Sequence, residues 1–316
     1  MEEIIPPIAK DLMLNELTVD KFLRHTNYGH KEIYIITADD SPNLMKEIGR
    51  LRELSFREAH GGTGKALDID RFDQGPNSFK QLLVWDPIER EIVGGYRFID
   101  CNLLEKSPEG TVQTPTATLF AYSRQFVEDY LPKTIELGRS FVQPAYQPVK
   151  NIRKGMYSLD NLWDGLGALV INYPQIDYFF GKVTMYSDFD PVARDMILFF
   201  MDKYFPDKDK LVYPHQSLGY KTDVSAMNAL FSGGSYLADF KLLVQQVRLR
   251  NENVPPLVNA YMGLSSTMRS FGTALNAGFG SVEETGILVT IGDIYDEKKD
   301  RHLKTYVPDQ VPTSAQ

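Results

Sequence analysis

From Glu32 to Phe205 the apolar residues switch repeatedly between a period of two and a period near 3.6. Alternation of that kind is satisfied by a mixed α/β layer fold. Glu32-Ile33-Tyr34-Ile35-Ile36-Thr37 reads as a strand. Ser41-Pro42 then supplies a capping hydroxyl and a proline at the first helical position, and Leu44, Ile48, Leu51, Leu54 and Ser55 share one helical face. Two strands, Phe79 to Trp85 and Glu91 to Ile99, meet through the turn Asp86-Pro87. A further strand from Lys133 to Val142 is halted by Pro144. Leu159 to Ile171 reads as a helix, Tyr178 to Tyr186 as a strand, and Asp190-Pro191 opens a helix to Phe205.

This pattern sets the expected boundaries. Residues 1–31, with a short amphipathic helix around Ile8 to Phe22, form an N-terminal arm, and residues 32–205 form the core. Residues 206–284 read as a mostly helical insertion or cap, with helices over Tyr236 to Arg250 and Pro256 to Ser270. Residues 285–306 return to the core through the closing strand Gly286-Ile287-Leu288-Val289-Thr290-Ile291. Residues 307–316 carry prolines without a packing pattern and read as a disordered tail.

Composition excludes several classes. The 316 residues are 43% hydrophobic and 24% charged, enough to bury a full core. The longest wholly apolar run, Met196 to Met201, is far below the ~20 residues of a membrane span. Met1-Glu2-Glu3 lacks the basic-then-apolar layout of a signal peptide, so a cytoplasmic location is expected. Cys101 is the single cysteine, which removes any internal disulfide and any multi-thiolate zinc cage. A net charge of −8, from 34 basic and 42 acidic residues, opposes broad nucleic-acid binding.

Familiar motifs fail on inspection. Gly61-Gly62-Thr63-Gly64-Lys65 suggests a phosphate loop, but Ala59 and Ala66 stand where glycine and Ser/Thr are needed, and a helix precedes it. His25, His30, His60, His215 and His302 form no metal-binding pair, so no metal is expected. Gly263-Leu264-Ser265-Ser266 lacks the glycine that completes a nucleophile elbow. Cys101 sits at a strand end with no histidine near in sequence.

The informative segment is Glu136-Leu137-Gly138-Arg139-Ser140-Phe141-Val142-Gln143-Pro144. Glu, Gly and Arg inside one strand break the usual apolar preference. Period-two alternation places Glu136, Gly138 and Ser140 on one face and Arg139 on the other. Gly138 leaves room for a group to approach the backbone.

Upstream lie Arg52 and Phe56 on the first helix, Asp70 and Asp73 in the loop after it, and Arg97 near a strand end. With Glu136 and Arg139, this ordered set resembles the lipid-forming N-acyltransferases of the GNAT superfamily, the ornithine- and glycine-lipid synthases labelled hemolysin-like. A more distant resemblance is to the acyl-homoserine-lactone synthases. Both groups carry the Arg-x-x-x-Phe helix, the Asp-x-x-Asp loop, the strand-end Arg and the Glu-x-x-Arg strand. The likeness runs over residues 32–205 and continues weakly through Val254 to Tyr261.

The resemblance implies a GNAT-like mixed sheet flanked by helices and an N-acyltransferase. The implied reaction moves a long, 3-hydroxylated acyl chain from acyl carrier protein to the α-amine of a small amino acid, giving a lyso-aminolipid. No cofactor is implied beyond a phosphopantetheine-borne acyl thioester as co-substrate. The implied partners are the carrier protein, the amino acid and a peripheral membrane contact, with no nucleic acid. Backbone N–H groups around Phe141 and Val142 would hold the thioester, and Arg153, Lys154 and Gly155, at a helix start, would face its phosphate. Arg52, Phe56, Asp70, Asp73, Arg97 and Arg139 would form a network beneath the cleft. Two roles stay open to Glu136: a base that takes a proton from the ammonium, or a buried carboxylate paired with Arg97 or Arg139.

The coenzyme A pyrophosphate loop of relatives is only partly present, as Arg153-Lys154-Gly155-Met156, which points to a carrier-protein donor. Alternative readings are a short-chain acyl-coenzyme A enzyme acting on a small amine and a non-catalytic acyl-ligand-binding module. The aromatic and Met residues from Tyr178 to Phe205 read mostly as core, with some lining an acyl tunnel.

Overall fold

The computed structural model describes residues 1–108 and 110–308. In chain order the first elements are α1 (Lys10–Leu14), β1 (Phe22–His25), β2 (Glu32–Ile36), α2 (Pro42–Glu58), β3 (Lys80–Asp86), β4 (Glu91–Asp100), β5 (Phe120–Tyr122) and β6 (Thr134–Val142). Then follow α3 (Ile152–Gly155), α4 (Ser158–Asn172), β7 (Tyr178–Met185), α5 (Pro191–Tyr204), β8 (Val212–Pro214) and α6 (Val224–Leu230). The last are α7 (Tyr236–Arg248), α8 (Pro256–Met262), β9 (Arg269–Asn276), β10 (Val282–Thr290) and α9 (Asp296–His302). The chain divides into two compact units, one of Met1–Leu104, Lys133–Ile176 and the stretch from Tyr295 onward, the other of Glu105–Pro132 and Asp177–Ile294.

In the first unit β1, β2, β3, β4 and β6 lie side by side in that order, each pair antiparallel. Alternation assigns the two faces. Gln81 on β3 hydrogen-bonds Arg52 of α2, whereas Leu82 faces α4 so closely that a Cβ on Gly165 would stand 2.7 Å from its Cδ2. The sheet is thus covered by helices on both sides. α2 buries Leu44, Met45, Ile48, Leu51 and Phe56, and each such side chain contributes about 1.5–3 kcal/mol.

The N-terminal residues are part of this unit and not an arm on it. β1 pairs with β2, and the buried Arg24 donates to the carbonyls of His302 and Asp164. The expected helix from Ile8 to Phe22 shrinks to α1. Ser41 does occupy the N-cap position of α2, but its hydroxyl donates to Asp40. Capping falls to Glu16, whose carboxylate accepts the N–H groups of Asn43 and Leu44 at 3.0 and 2.8 Å.

In the second unit β7, β10 and β9 form antiparallel ladders, and β5 pairs with β8. Phe199, Phe200 and Phe231 pack in the helical part of its core, with Tyr236 and Phe240 against Phe200. Residues 206–284 are therefore more than a helical insertion: they hold α6 to α8 but also β8, β9 and the start of β10. The helical expectation for Pro256 to Ser270 stops at Met262. The closing strand begins earlier than 285, at Val282, and α9 follows it. Of the expected tail, residues 309–316 lie outside the described residues.

Candidate active site

β6 is where the first unit departs from regularity. Glu136 opposes Ile99 and Gly138 opposes Arg97, but the next partners are Phe141 with Gly95 and Val142 with Gly94. Arg139 and Ser140 together span the single residue Tyr96, a β-bulge. Arg139 adopts φ +49°, a left-handed conformation unusual for a residue with a side chain. The bulge corrects the simple alternation: Phe141, not Ser140, continues the face of Glu136 and Gly138. β4 admits this geometry through a glycine pair. A Cβ on Gly94 would stand 2.3 Å from the Phe141 carbonyl, and one on Gly95 would stand 2.6 Å from that of Leu82.

On the same face lies an ion network. Arg97 Nη1 donates to both Asp70 oxygens at 2.9 Å and to Asp73 at 3.2 Å. Arg52 pairs with Asp73 at 3.2 Å, both side chains fully buried. Arg139 Nε stands 2.8 Å from Asp68, and its Nη2 stands 3.8 Å from Asp70. Gln81 bridges by accepting from Arg52 and donating to Asp73. Burial alone would raise the Asp73 carboxyl, but the Arg52 and Arg97 guanidiniums outweigh it and hold its pKa at about 2. Three arginines against three aspartates make a charge-balanced layer, the condition under which buried ions are tolerated.

The network brings together the expected Arg52, Asp70, Asp73, Arg97 and Arg139, with Phe56 buried on the same helix as Arg52. It adds Asp68 and Gln81. Gln81 was detectable as a polar residue ahead of the apolar run Leu82 to Trp85, and Asp68 as the first acid of its loop. The group close to Gly138 is Arg97, whose Nε would lie 3.4 Å from a Cβ there.

Glu136 is buried, 1% exposed, on the β4 side of this layer. Its backbone N–H bonds the Cys101 thiol. Burial first, and the Glu136 charge second, push that thiol well up, so Cys101 is not a nucleophile.

Beyond the bulge the Gln143 N–H donates to the Val93 carbonyl at 3.0 Å. N–H groups alternate between the two edges of a strand. Phe141 therefore turns its N–H to β4, and Val142 turns its own to the opposite edge. Of the two residues expected to present N–H groups, Phe141 thus spends its own in the β4–β6 ladder, and Val142 points its own away from β4. Pro144 opens a helical turn, ending the strand as expected.

α3 holds Arg153, Lys154 and Gly155 but is a single short turn. Its N-cap Asn151 accepts the Lys154 N–H at 3.1 Å, so that donor is taken by the chain itself. Lys154 pairs with Glu89 and Lys150 with Glu58, each at 3.2 Å, while Arg153 is exposed. Gly155 is required by packing: a Cβ would stand 2.5 Å from the Pro148 nitrogen.

The Gly61–Gly64 loop holds an anion, and it is the chain's own. The Glu53 carboxylate accepts from the Thr63 N–H, the Thr63 hydroxyl and the Gly64 N–H at 3.0, 2.7 and 2.7 Å. A phosphate has no place there. In the second unit Phe179, Phe180, Met196, Phe200, Met201 and Phe205 are core. The 670 Å³ cavity of that unit is lined by Lys106, Val112, Phe120, Tyr122, Arg124 and neighbours, so the expected tunnel residues from Tyr178 to Phe205 do not line it. Among the described residues no cluster of His, Cys, Asp or Glu could hold a metal, and no helix is long and apolar enough to cross a membrane.

Residues 51–154 match the acetyltransferase (GNAT) domain family, a span that carries the ion network, Glu136 and Arg153-Lys154. Fold and match together define an acyltransferase of the GNAT type. Glycine N(alpha)-acyltransferase of Phocaeicola vulgatus is 52% identical over 307 residues, covering 97% of this chain and 94% of that protein. Glycine N(alpha)-acyltransferase of Bacteroides thetaiotaomicron is 48% identical, with 97% and 91% covered. The chain belongs to this family of amino-acid N-acyltransferases. Among solved structures, FeeM, an N-acyl amino acid synthase from uncultured soil microbes, is similar with a TM-score of 0.43 at 9% identity, covering 88% of this chain and 98% of that one.

Proposed function

We propose that the protein transfers a long acyl chain from acyl carrier protein to the α-amine of glycine, giving an N-acyl amino acid that serves as a lyso-aminolipid. The observation that carries this reading is the likeness, at about half identity and along nearly the whole of both chains, to two glycine N(alpha)-acyltransferases. The site supports it chemically. Amide formation needs an uncharged amine, a held thioester carbonyl and a donor for the developing oxyanion. Glu136 is the base, directly or through a water, and the Val142 N–H is the backbone donor. Arg52, Arg97 and Arg139 with their aspartates hold the bulged strand that positions both.

Purified protein, 3-hydroxyacyl carrier protein and glycine are expected to give the N-acylglycine, identified by mass spectrometry. Ornithine, serine and lysine serve as competing acceptors. Absence of any N-acyl amino acid would refute the reading, and equal or better efficiency with the matched acyl-coenzyme A would reassign the donor.

Carrier docking predicts a further result. Lys150 and Lys154 are each neutralised by a glutamate, so the exposed Arg153 dominates the local positive charge. Screening acts over about 8 Å at physiological salt, and the protein's net −8 opposes an acidic partner at longer range. Charge reversal by Arg153→Glu is expected to raise KM for the acyl carrier protein about tenfold, more than Lys150→Glu does, with kcat little changed. Rising salt should reproduce the effect in the parent protein. A salt-independent KM would remove the electrostatic account.

A further inference from the structure

One end of the first unit's sheet holds large apolar side chains in water. Glu32 opposes Trp85, Asp86 opposes Glu91 and Val142 opposes Gly94, so the β1–β2 loop, the β3–β4 turn and the segment after β6 emerge at the same end. Ile88 in the turn is 80% exposed, and Val149, Ile152 and Met156 after β6 are 87%, 74% and 57% exposed. Tyr28 in the β1–β2 loop is half exposed and stacks on Tyr157, the residue after Met156, with ring centroids 5.2 Å apart. A salt bridge of 3.2 Å from Lys154 to Glu89 ties α3 to the turn beside Ile88. Apolar side chains scattered singly on a surface need no explanation, but a group drawn from three loops to one place marks an interaction surface.

The charges around the group say what covers it. Residues 143–159 hold Lys150, Arg153 and Lys154 and no acid, in a chain of net charge −8. Arg153 is exposed. The partners of Lys150 and Lys154, Glu58 and Glu89, stand largely in water, where an ion pair adds little, so both ammonium groups can exchange carboxylate for phosphate at small cost. Ile152 opens α3 and Met156, still helical in its backbone, stands four residues on, so the two share one side of the turn next to Arg153. Long cations beside projecting apolar tips, with less exposed tyrosines adjoining, suit a phospholipid surface. Hydrocarbon takes the tips, phosphate takes the cations, and the amphipathic rings sit at the boundary. An acidic protein would match the cations, but tips projecting from three loops need a shaped recess in a protein and none in a bilayer.

We propose that this end of the sheet rests on a phospholipid bilayer, with Ile88, Val149, Ile152 and Met156 in its apolar layer and Lys150, Arg153 and Lys154 on headgroup phosphates. The contact is peripheral, and it holds whichever acyl donor and acceptor the site uses. Arg153 is also the cation offered to the carrier above, so the variants that test the lipid face leave it in place.

Sedimentation of the full chain with sucrose-loaded vesicles of phosphatidylcholine and phosphatidylglycerol tests it. The parent protein should pellet with the vesicles. A triple variant, Ile88→Ser with Val149→Ser and Ile152→Ser, should partition at least tenfold less. Its melting temperature should be unchanged, because all three side chains already stand in water. Added salt should weaken the parent only in part, since screening removes the phosphate attraction and leaves the apolar insertion. Ile152→Trp supplies a gain of signal: the emission it adds should shift to the blue with vesicles and stay unshifted with acyl carrier protein. A parent that stays in solution, or a triple variant that pellets as well as the parent, overturns the bilayer. Loss of carrier binding in the triple variant with vesicle binding retained would give the face to the carrier. Loss of a concentration-dependent dimer, again with vesicle binding retained, would give it to a second copy of this chain.

Discussion

Glu136→Gln is expected to keep its fold and lose about 10²-fold or more in turnover. The amide conserves shape and hydrogen-bonding capacity but cannot accept a proton from an ammonium. Glu136 sits 1% exposed on β6, four residues before Ser140, on the face shared by Arg97 and Ile99. Its rival role was that of a counter-ion. The arginines considered for that role have other carboxylates: Arg97 has Asp70 and Asp73, and Arg139 has Asp68. Glu136 is buried on the face of that layer, where the conservative change to the amide separates proton transfer from structure. The measurement is kcat at saturating glycine across pH, together with a melting curve. A rate loss at unchanged melting temperature, with the acidic limb of the pH profile gone, supports the base. Unchanged rates throughout would falsify it, and a large loss of stability with retained rate would return Glu136 to structure.

The sequence reveals the long helices and strands between Glu32 and Phe205 because each keeps one period from end to end, whereas the three-residue β5 is too short to show a period. α2 and β6 fall within a residue or two of where periodicity puts them. β9 is hidden for a physical reason. Arg269 to Asn276 mixes small and polar residues, and Gly272 sits at φ +81°, so neither period is sustained and the preceding helical pattern runs into it. The site shows the same split. Charged residues inside apolar elements mark Arg52, Arg97 and Glu136 by their cost alone, since a buried charge must have a partner. The bulge cannot be read in that way. Nothing in Gly138-Arg139-Ser140 says which residue is the extra one, and glycine would be the ordinary choice for a left-handed φ. Arg139 takes it where Asp68, about 70 residues earlier in the chain, grips its guanidinium at 2.8 Å. Conformation there is set by a contact distant in sequence.

Arg97→Ala is expected to lower unfolding free energy by about 3–5 kcal/mol, the usual result of removing one member of a buried ion pair. Arg97 is 1% exposed and serves Asp70 and Asp73 at once, and its guanidinium also lies 5.3 Å from the centre of the Phe79 ring. Arg139→Ala should be milder, because that side chain is 15% exposed and water can reach the aspartates it leaves. Acid titration separates the network from packing. In the folded protein the Asp73 pKa is depressed to about 2 from an ordinary 3.8. Its contribution, on the order of 2 kcal/mol, is complete above the unfolded value and is lost as pH falls toward 2. With Arg97 gone, Arg52 alone opposes the burial of Asp73, its folded pKa rises, and the acid-dependent loss between about pH 4 and 2 should shrink. Denaturant unfolding of parent and variant at pH 7 and through that window gives both numbers. A variant as stable as the parent at pH 7, or one with the same slope in acid, would place the strength of this layer in its packing and not in its charges.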